Sequence, residues 1–112
     1  MAVTSVQANT APSALTVNTE STLESPSITA AGVYVLVIDA VNMANSDVLE
    51  VRIKTKGVTT TLQLSYFATY ANVQTELNKY SVPVPNEGSQ ISFSLKQTAG
   101  TGRVVPWRIL TL

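Results

Sequence analysis

Val48-Leu49-Glu50-Val51-Arg52-Ile53-Lys54 alternates without a break between apolar and charged residues. Side chains of a strand point to opposite faces at period two. Leu49, Val51 and Ile53 therefore share a buried face, while Glu50, Arg52 and Lys54 face solvent. Ile91, Phe93 and Leu95 alternate with Ser92, Ser94 and Lys96 in the same way. Gly32-Val33-Tyr34-Val35-Leu36-Val37-Ile38-Asp39 is different. Its six-residue apolar core is continuous and rich in Val and Ile, as expected of a central strand covered on both faces.

Weaker strand signals surround these three. Leu15 and Val17 alternate with Thr16 and Asn18. Thr60–Phe67 predicts a strand carrying Leu62, Leu64 and Tyr66 on one face. Tyr80, Val82 and Val84 alternate, but Pro83 and Pro85 cannot donate to a ladder and assign this piece to a sheet edge. Val104–Leu110 predicts the last strand, with Pro106 inside it. Tyr70–Tyr80 has some helical spacing, but it is short and is read as a loop or one helical turn. Asn42–Asp47, Lys56-Gly57, Asn86-Glu87-Gly88 and Thr98–Gly102 are turns by composition. Seven or eight short strands separated by turns predict an all-β protein, an antiparallel sandwich or small barrel. Jelly-roll and immunoglobulin-like orders are equally compatible with this pattern.

The chain has 112 residues, so a single domain is expected. Val and Thr occur fifteen times each, which favours strands. Residues 1–13, MAVTSVQANTAPS, have no charge and no periodicity, and predict an extended arm that reaches about 43 Å. Such an arm buries too little to order itself, and needs its own sheet or a neighbouring chain. The division is thus an arm, 1–13, and one β-sandwich domain, 14–112.

Composition narrows the function. There is no Cys and no His, which removes disulfides, thiolate zinc sites, the commonest general base and the commonest metal ligand. No eighteen-residue apolar run exists, so no membrane span is expected. The N-terminus lacks a signal-peptide pattern. Only 12% of residues are charged, about half the usual share, and the net charge is zero, so nucleic acid is not an expected partner. Residues 1–50 hold five acidic groups and no Lys or Arg, while residues 51–112 hold seven basic groups and two acidic ones. Either paired strands interleave these charges on one surface, or the molecule has an acidic and a basic face.

The chemical motifs fail on inspection. Gly100-Thr101-Gly102 lacks the third glycine of a dinucleotide loop, since Val105 stands there, and no helical pattern follows. Asp39–Glu50 places Val41 and Met43 where a calcium loop needs oxygen ligands. Asp39, Asp47, Glu50, Glu76 and Glu87 show no pairing that would serve glycoside hydrolysis. The hydroxyls have no His to activate them. Trp107, Tyr34, Tyr66, Tyr70 and Tyr80 fill a core or form a sugar-stacking platform. Neither a cofactor nor an enzymatic activity is expected.

The C-terminal third carries Ser94-Leu95-Lys96-Gln97-Thr98-Ala99-Gly100-Thr101-Gly102-Arg103 and then Val104-Val105-Pro106-Trp107. This LKQTAGTGR…PW string resembles a group of small virion structural proteins from tailed bacteriophages. The resemblance extends to Gly32–Asp39, Asn42-Met43-Ala44 and Tyr80–Val84, about two thirds of the chain. It departs at Ala44-Asn45-Ser46-Asp47, where the group carries Ala-Gly-Asp. The resemblance implies a location in the virion, assembled in the bacterial cytoplasm, and no catalytic residue. Together with the strand pattern it points to a head decoration or cement protein. The major capsid protein or other virion proteins, and further copies of the chain, are the expected partners. A tail, collar or fibre-attachment component and a surface carbohydrate-binding module are the alternatives. Val3, Val6 and Leu15 near the arm, and Arg103 and Arg108 near the C-terminus, are the expected interface residues.

Overall fold

A computed structural model describes residues 2–112. Nine strands build two antiparallel sheets: β1 (Thr4–Asn9), β2 (Glu20–Thr22), β3 (Gly32–Asp39), β4 (Val48–Thr55), β5 (Gln63–Ala71), β6 (Asn78–Tyr80), β7 (Val84–Asn86), β8 (Ile91–Ala99) and β9 (Trp107–Thr111). No helix occurs among the described residues. The first sheet, sheet A, has the order β1-β9-β3-β6, with β7 also on β3. Sheet B has the order β2-β8-β4-β5. β6 and β7 pair with the two ends of the same edge of β3, Asp39 to Val37 and Tyr34 to Gly32, so they are two halves of one interrupted edge strand. Counted so, the eight strands follow the order of a jelly roll. Only β4 and β5 are neighbours both along the chain and within a sheet.

The sheets face each other across a core set by the alternating residues. Leu49, Val51 and Ile53 of β4 and Ile91, Phe93 and Leu95 of β8 meet Tyr34, Leu36 and Ile38 of β3 and Ile109 of β9. Tyr34 and Phe93 pack edge to face across the layers, ring centres 6.3 Å apart. The Tyr34 hydroxyl donates to the carbonyl of Ala30 at 2.7 Å, so the buried ring leaves no orphan polar atom.

Several expectations are refined. The 80–84 segment lies at a sheet edge, as its prolines require. Ser81 bridges the break: its amide donates to the carbonyl of Leu36, and its Oγ accepts from the amide of Leu36. Residues 15–18 form no strand. The Leu15 amide donates to the carbonyl of Arg103 and the Asn18 amide to that of Gln97. β5 runs on to Ala71, and a bulge between its pairings with Ile53 and Lys54 inserts Ser65. That extra residue reverses the pleat, so Leu64 is exposed while Tyr66, Ala68 and Tyr70 pack on the core. The last strand begins at Trp107, because Pro106 precedes the ladder. Residues 4–9 are extended as expected, and their own sheet holds them. β1 pairs antiparallel with β9, from Thr4 opposite Thr111 to Asn9 opposite Trp107, with Val6 bulged out. Gln7 ties this strand down by accepting from the Ser25 amide and donating to the carbonyl of Pro26.

Candidate interaction surface

The carboxylates considered for catalysis are scattered. Asp47 is 1% exposed and bound by Arg103. Glu50 pairs with Arg52 at 2.6 Å. Asp39 accepts from the amide of Val41, closing a local turn. Glu76 and Glu87 lie in exposed loops. No three potential metal ligands group together among the described residues.

Residues 94–103 fold into a clamp. Gln97, fully buried, donates to the carbonyls of Ala99 and Thr101 and accepts from the amide of Arg103. Arg103 then reaches Asp47, its Nε 2.7 Å from Oδ2. The same Oδ2 accepts from the amide of Ala44 at 2.8 Å, which fixes the 44–47 turn. Burial pushes the Asp47 carboxyl up. The hydrogen bonds from Arg103 and Ala44 and the guanidinium charge outweigh it and hold the group below its ordinary value. The two glycines follow from this packing. Gly100 has φ +88°, and a Cβ there would run into the Asp47 carboxylate. A Cβ on Gly102 would strike the carbonyl oxygen of Leu15. Arg103, expected at a partner interface, spends its charge inside the fold. Leu15, expected there too, packs against the core.

The outer face of sheet B is charged, and four of its five charges pair within it, Lys96 being in no ion pair among the described residues. Lys54 of β4 binds Glu20 of β2 at 2.8 Å, and Ser94 of β8 donates to the same carboxylate oxygen. The Lys54 and Ser94 hydrogen bonds lower the Glu20 carboxyl below its ordinary value. The Arg52 guanidinium lies 5.1 Å from the centre of the Phe67 ring. Its Nη1 is buried without a hydrogen-bond acceptor among the described residues, and Glu50 and the ring face answer its charge instead. The acidic first half and the basic second half of the chain are therefore interleaved here. With Asp47–Arg103, the three ion pairs each join an acidic group of residues 1–50 to a basic group of residues 51–112.

The outer face of sheet A is built from the other residues of the same strands. On β3 the core takes Tyr34, Leu36 and Ile38, and the alternate residues face the other side of the sheet, where Val35 is 9% exposed and Val33 and Val37 are half-buried. Their partners across the ladders are Leu110 and Arg108 of β9, Tyr80 of β6 and Pro85 of β7. Tyr80 is 59% exposed, and Val82 and Leu112 are also exposed. Arg108 is exposed and takes no part in an ion pair among the described residues. At the Asp39 end the face dips into a shallow depression of about 320 Å³ lined by Asp39, Asn78, Tyr80, Trp107 and Arg108, among others. Val3 and Val6 lie exposed at the β1 border of this sheet.

The interface expectation thus divides. Val3 and Val6 are exposed at the β1 edge and Arg108 is exposed on β9, while Leu15 packs against the core and Arg103 pairs with Asp47. Val37 and Leu110, half-buried on this face, and the buried Val35 are not singled out as interface residues by sequence reasoning, and the Tyr80 ring is named only as a core or platform aromatic. The continuous apolar run Val33–Ile38 reads as covered on both faces, and no residue of it is exposed: Val35 is buried and Val33 and Val37 are half-buried on the outer side. The aromatics do not gather into one platform: Tyr34 is buried, Tyr66 and Tyr70 pack on the core, and only Tyr80 and the half-buried Trp107 reach the depression. No known protein family, curated protein or solved structure matches the chain.

Proposed function

We propose that this chain is a non-enzymatic structural protein of a bacteriophage virion, a head decoration or cement protein that lies on the capsid through the outer face of sheet A. The observation that carries this reading is the contrast between the two outer faces. Four of the five outer charges of sheet B pair within the face, Lys96 being the exception, whereas sheet A presents the half-buried Val33, Val37 and Leu110 and the exposed Tyr80 with one unpaired arginine. An apolar face with a polar rim is the composition of a protein–protein interface. The resemblance of residues 94–107 to tailed-phage virion proteins supports the same reading, as does a jelly-roll order, which recurs in viral capsid domains. Fold alone assigns no activity. Many copies on a regular lattice would make individually weak contacts strong together.

The test is the number of copies per purified particle, by quantitative mass spectrometry against the major capsid protein. A number equal to that protein or a simple fraction of it is the expected result. A few copies per particle would assign the chain to the tail, collar or fibre attachment. Absence from the particle would overturn the virion reading.

One observation favours a second reading, a carbohydrate-binding module. Tyr80 and Trp107 share the depression with Asp39, Asn78 and Arg108, an aromatic and polar combination that suits a sugar ring. Tyr80→Ala abolishing retention on a glycan array would support it, and no retention of the native chain would remove it.

A further inference from the structure

The two sheets end in four edges, and three of them are blunted. β2 has only three residues. The β6/β7 edge is broken at Ser81 and carries Pro83 and Pro85. β1 has a bulge at Val6, which leaves only Gln7–Asn9 in regular register beyond it. β5 is the exception. Gln63-Leu64-Ser65-Tyr66-Phe67-Ala68-Thr69-Tyr70-Ala71 holds no charge, no proline and no glycine. After the Ser65 bulge its register on β4 is regular from Tyr66 to Ala71. Its other edge has no strand beside it. Phe67 is 45% exposed on the outer face. Natural sheets avoid an open edge of this kind unless something pairs with it.

We propose that β5 is the surface through which two copies of this chain associate, antiparallel about a two-fold axis near Phe67, so that their B sheets join into one. An antiparallel pair of identical strands is self-complementary. With no charge on the strand, no like charges meet across the axis. The charges that bracket the strand in sequence are opposite in sign, with Lys79 a further cation beside Tyr70 at the far end. The uncharged run Gly57–Thr75 begins after Lys56 and ends before Glu76, and Tyr66 stands midway between them. Antiparallel pairing near the middle of β5 brings the Lys56 end of one copy toward the Glu76 end of the other, whereas parallel pairing would put like charges together. At the axis the two Phe67 rings become a cross-strand aromatic pair. Arg52 already holds each ring, so little side-chain freedom remains to be lost. This inference goes beyond the virion reading and does not rest on it, since association of the isolated chain and copies on a particle are separate measurements.

The experiment is sedimentation velocity of the purified full chain across the micromolar range. The expected result is a concentration-dependent dimer of the 11.9 kDa chain. Phe67→Glu keeps a partner for Arg52 within its own fold but sets two carboxylates against each other across the axis, and weakens the dimer by more than about tenfold. Mixing Phe67→Glu with Phe67→Lys restores it as a mixed dimer. Val6→Glu, on the β1 edge, leaves it intact. A native chain that stays monomeric throughout, a folded Phe67→Glu chain that still dimerises, or a dimer lost with Val6→Glu instead would overturn the proposal. Should circular dichroism show a Phe67 variant unfolded, amide exchange of the native chain decides: protection of Gln63–Ala71 that grows with concentration supports the β5 pair, and unchanged exchange there rejects it.

Discussion

Arg103 and Arg108 stand five positions apart and serve opposite regions of the molecule. Arg103 belongs to the corner where the 98–103 loop meets the 44–47 turn, and there a buried carboxylate uses its charge. Arg108 belongs to the outer face of sheet A, where no ion pair among the described residues uses it and its cross-strand partners are Val37 and Ala8. In the first region the buried Asp47 and Gln97 and the guanidinium of Arg103 have partners inside the chain, so these residue choices serve stability. In the second, Val35 is buried and Val33, Val37 and Leu110 are half-buried, but Tyr80 and Arg108 are exposed without an ion pair or side-chain hydrogen bond among the described residues, so stability alone does not account for those two. The string that resembles phage proteins lies mostly in the first region. It marks how the chain is closed, and the proposed interaction surface lies elsewhere.

The contrast is broken most severely at Gly100. Gly100→Ala forces a side chain into a left-handed conformation and against the Asp47 carboxylate. It should cost about 3 kcal/mol or more, read as a lower midpoint in urea or thermal unfolding. Asp47→Ala comes next. It strands the Arg103 guanidinium and the Ala44 amide. Arg103 is one third exposed and recovers some hydration, so the expected loss is about 2 kcal/mol rather than the full cost of breaking a buried pair. The pH dependence has a definite sign. The folded-state carboxyl titrates below its ordinary value of 3.8, so its contribution is complete above that pH and is lost as the pH falls further. Urea midpoints measured between neutral pH and pH 3 should fall at the acid end for the native chain. They should fall less steeply for Asp47→Ala. Equal acid slopes in the two proteins would mean that the clamp is not coupled to this carboxyl.

How far these regions could be read in advance depends on the range of the interaction. Period-two alternation is local, so Leu49, Val51 and Ile53, and Ile91, Phe93 and Leu95, are legible as core. Pro83 and Pro85 are local as well and mark an edge. The partner of Arg103 lies 56 positions away, and no spacing rule joins it to Asp47. The pairing of β1 with β9 spans nearly the whole chain, and a plain segment such as Thr4–Asn9 reads the same whether it binds its own sheet or another molecule's. Ser65 shows a third limit. One bulged residue reverses the pleat, which moved Leu64 from the expected buried set to solvent. The outer face of sheet A combines these limits, since it exists only once β9, β3, β6 and β7 are side by side.

The Glu20–Lys54 pair sharpens the contrast at a smaller scale. Both side chains are about one third exposed, so Lys54→Gln should cost about 0.5 kcal/mol or less, and added salt should erase the difference from the native chain. A larger, salt-independent loss would mean that the outer face of sheet B is a cooperative network rather than a set of solvated pairs.

The smallest expected effect on stability bears most directly on function. Tyr80→Ser and Arg108→Ser change side chains that are exposed on sheet A and whose backbone ladders stay intact, so each should alter unfolding by no more than about 0.5 kcal/mol. The tyrosine ring is nonetheless the largest apolar group on that face and lies across β3 from the arginine, both in register with Val37. If the face is an interface, loss of the ring removes an anchor of the kind that dominates binding while leaving the fold untouched. Occupancy of purified capsids by Tyr80→Ser should then drop while its melting curve overlays that of the native chain. Removing residues 1–13 cannot separate these effects, because it strips β1 from β9 and opens a new sheet edge. A Tyr80→Ser chain that fills the capsid normally would leave sheet A as an apolar face without a partner. A Tyr80→Ser chain that unfolds early would mean that this face stabilises the fold after all, and the distinction between the two regions would collapse.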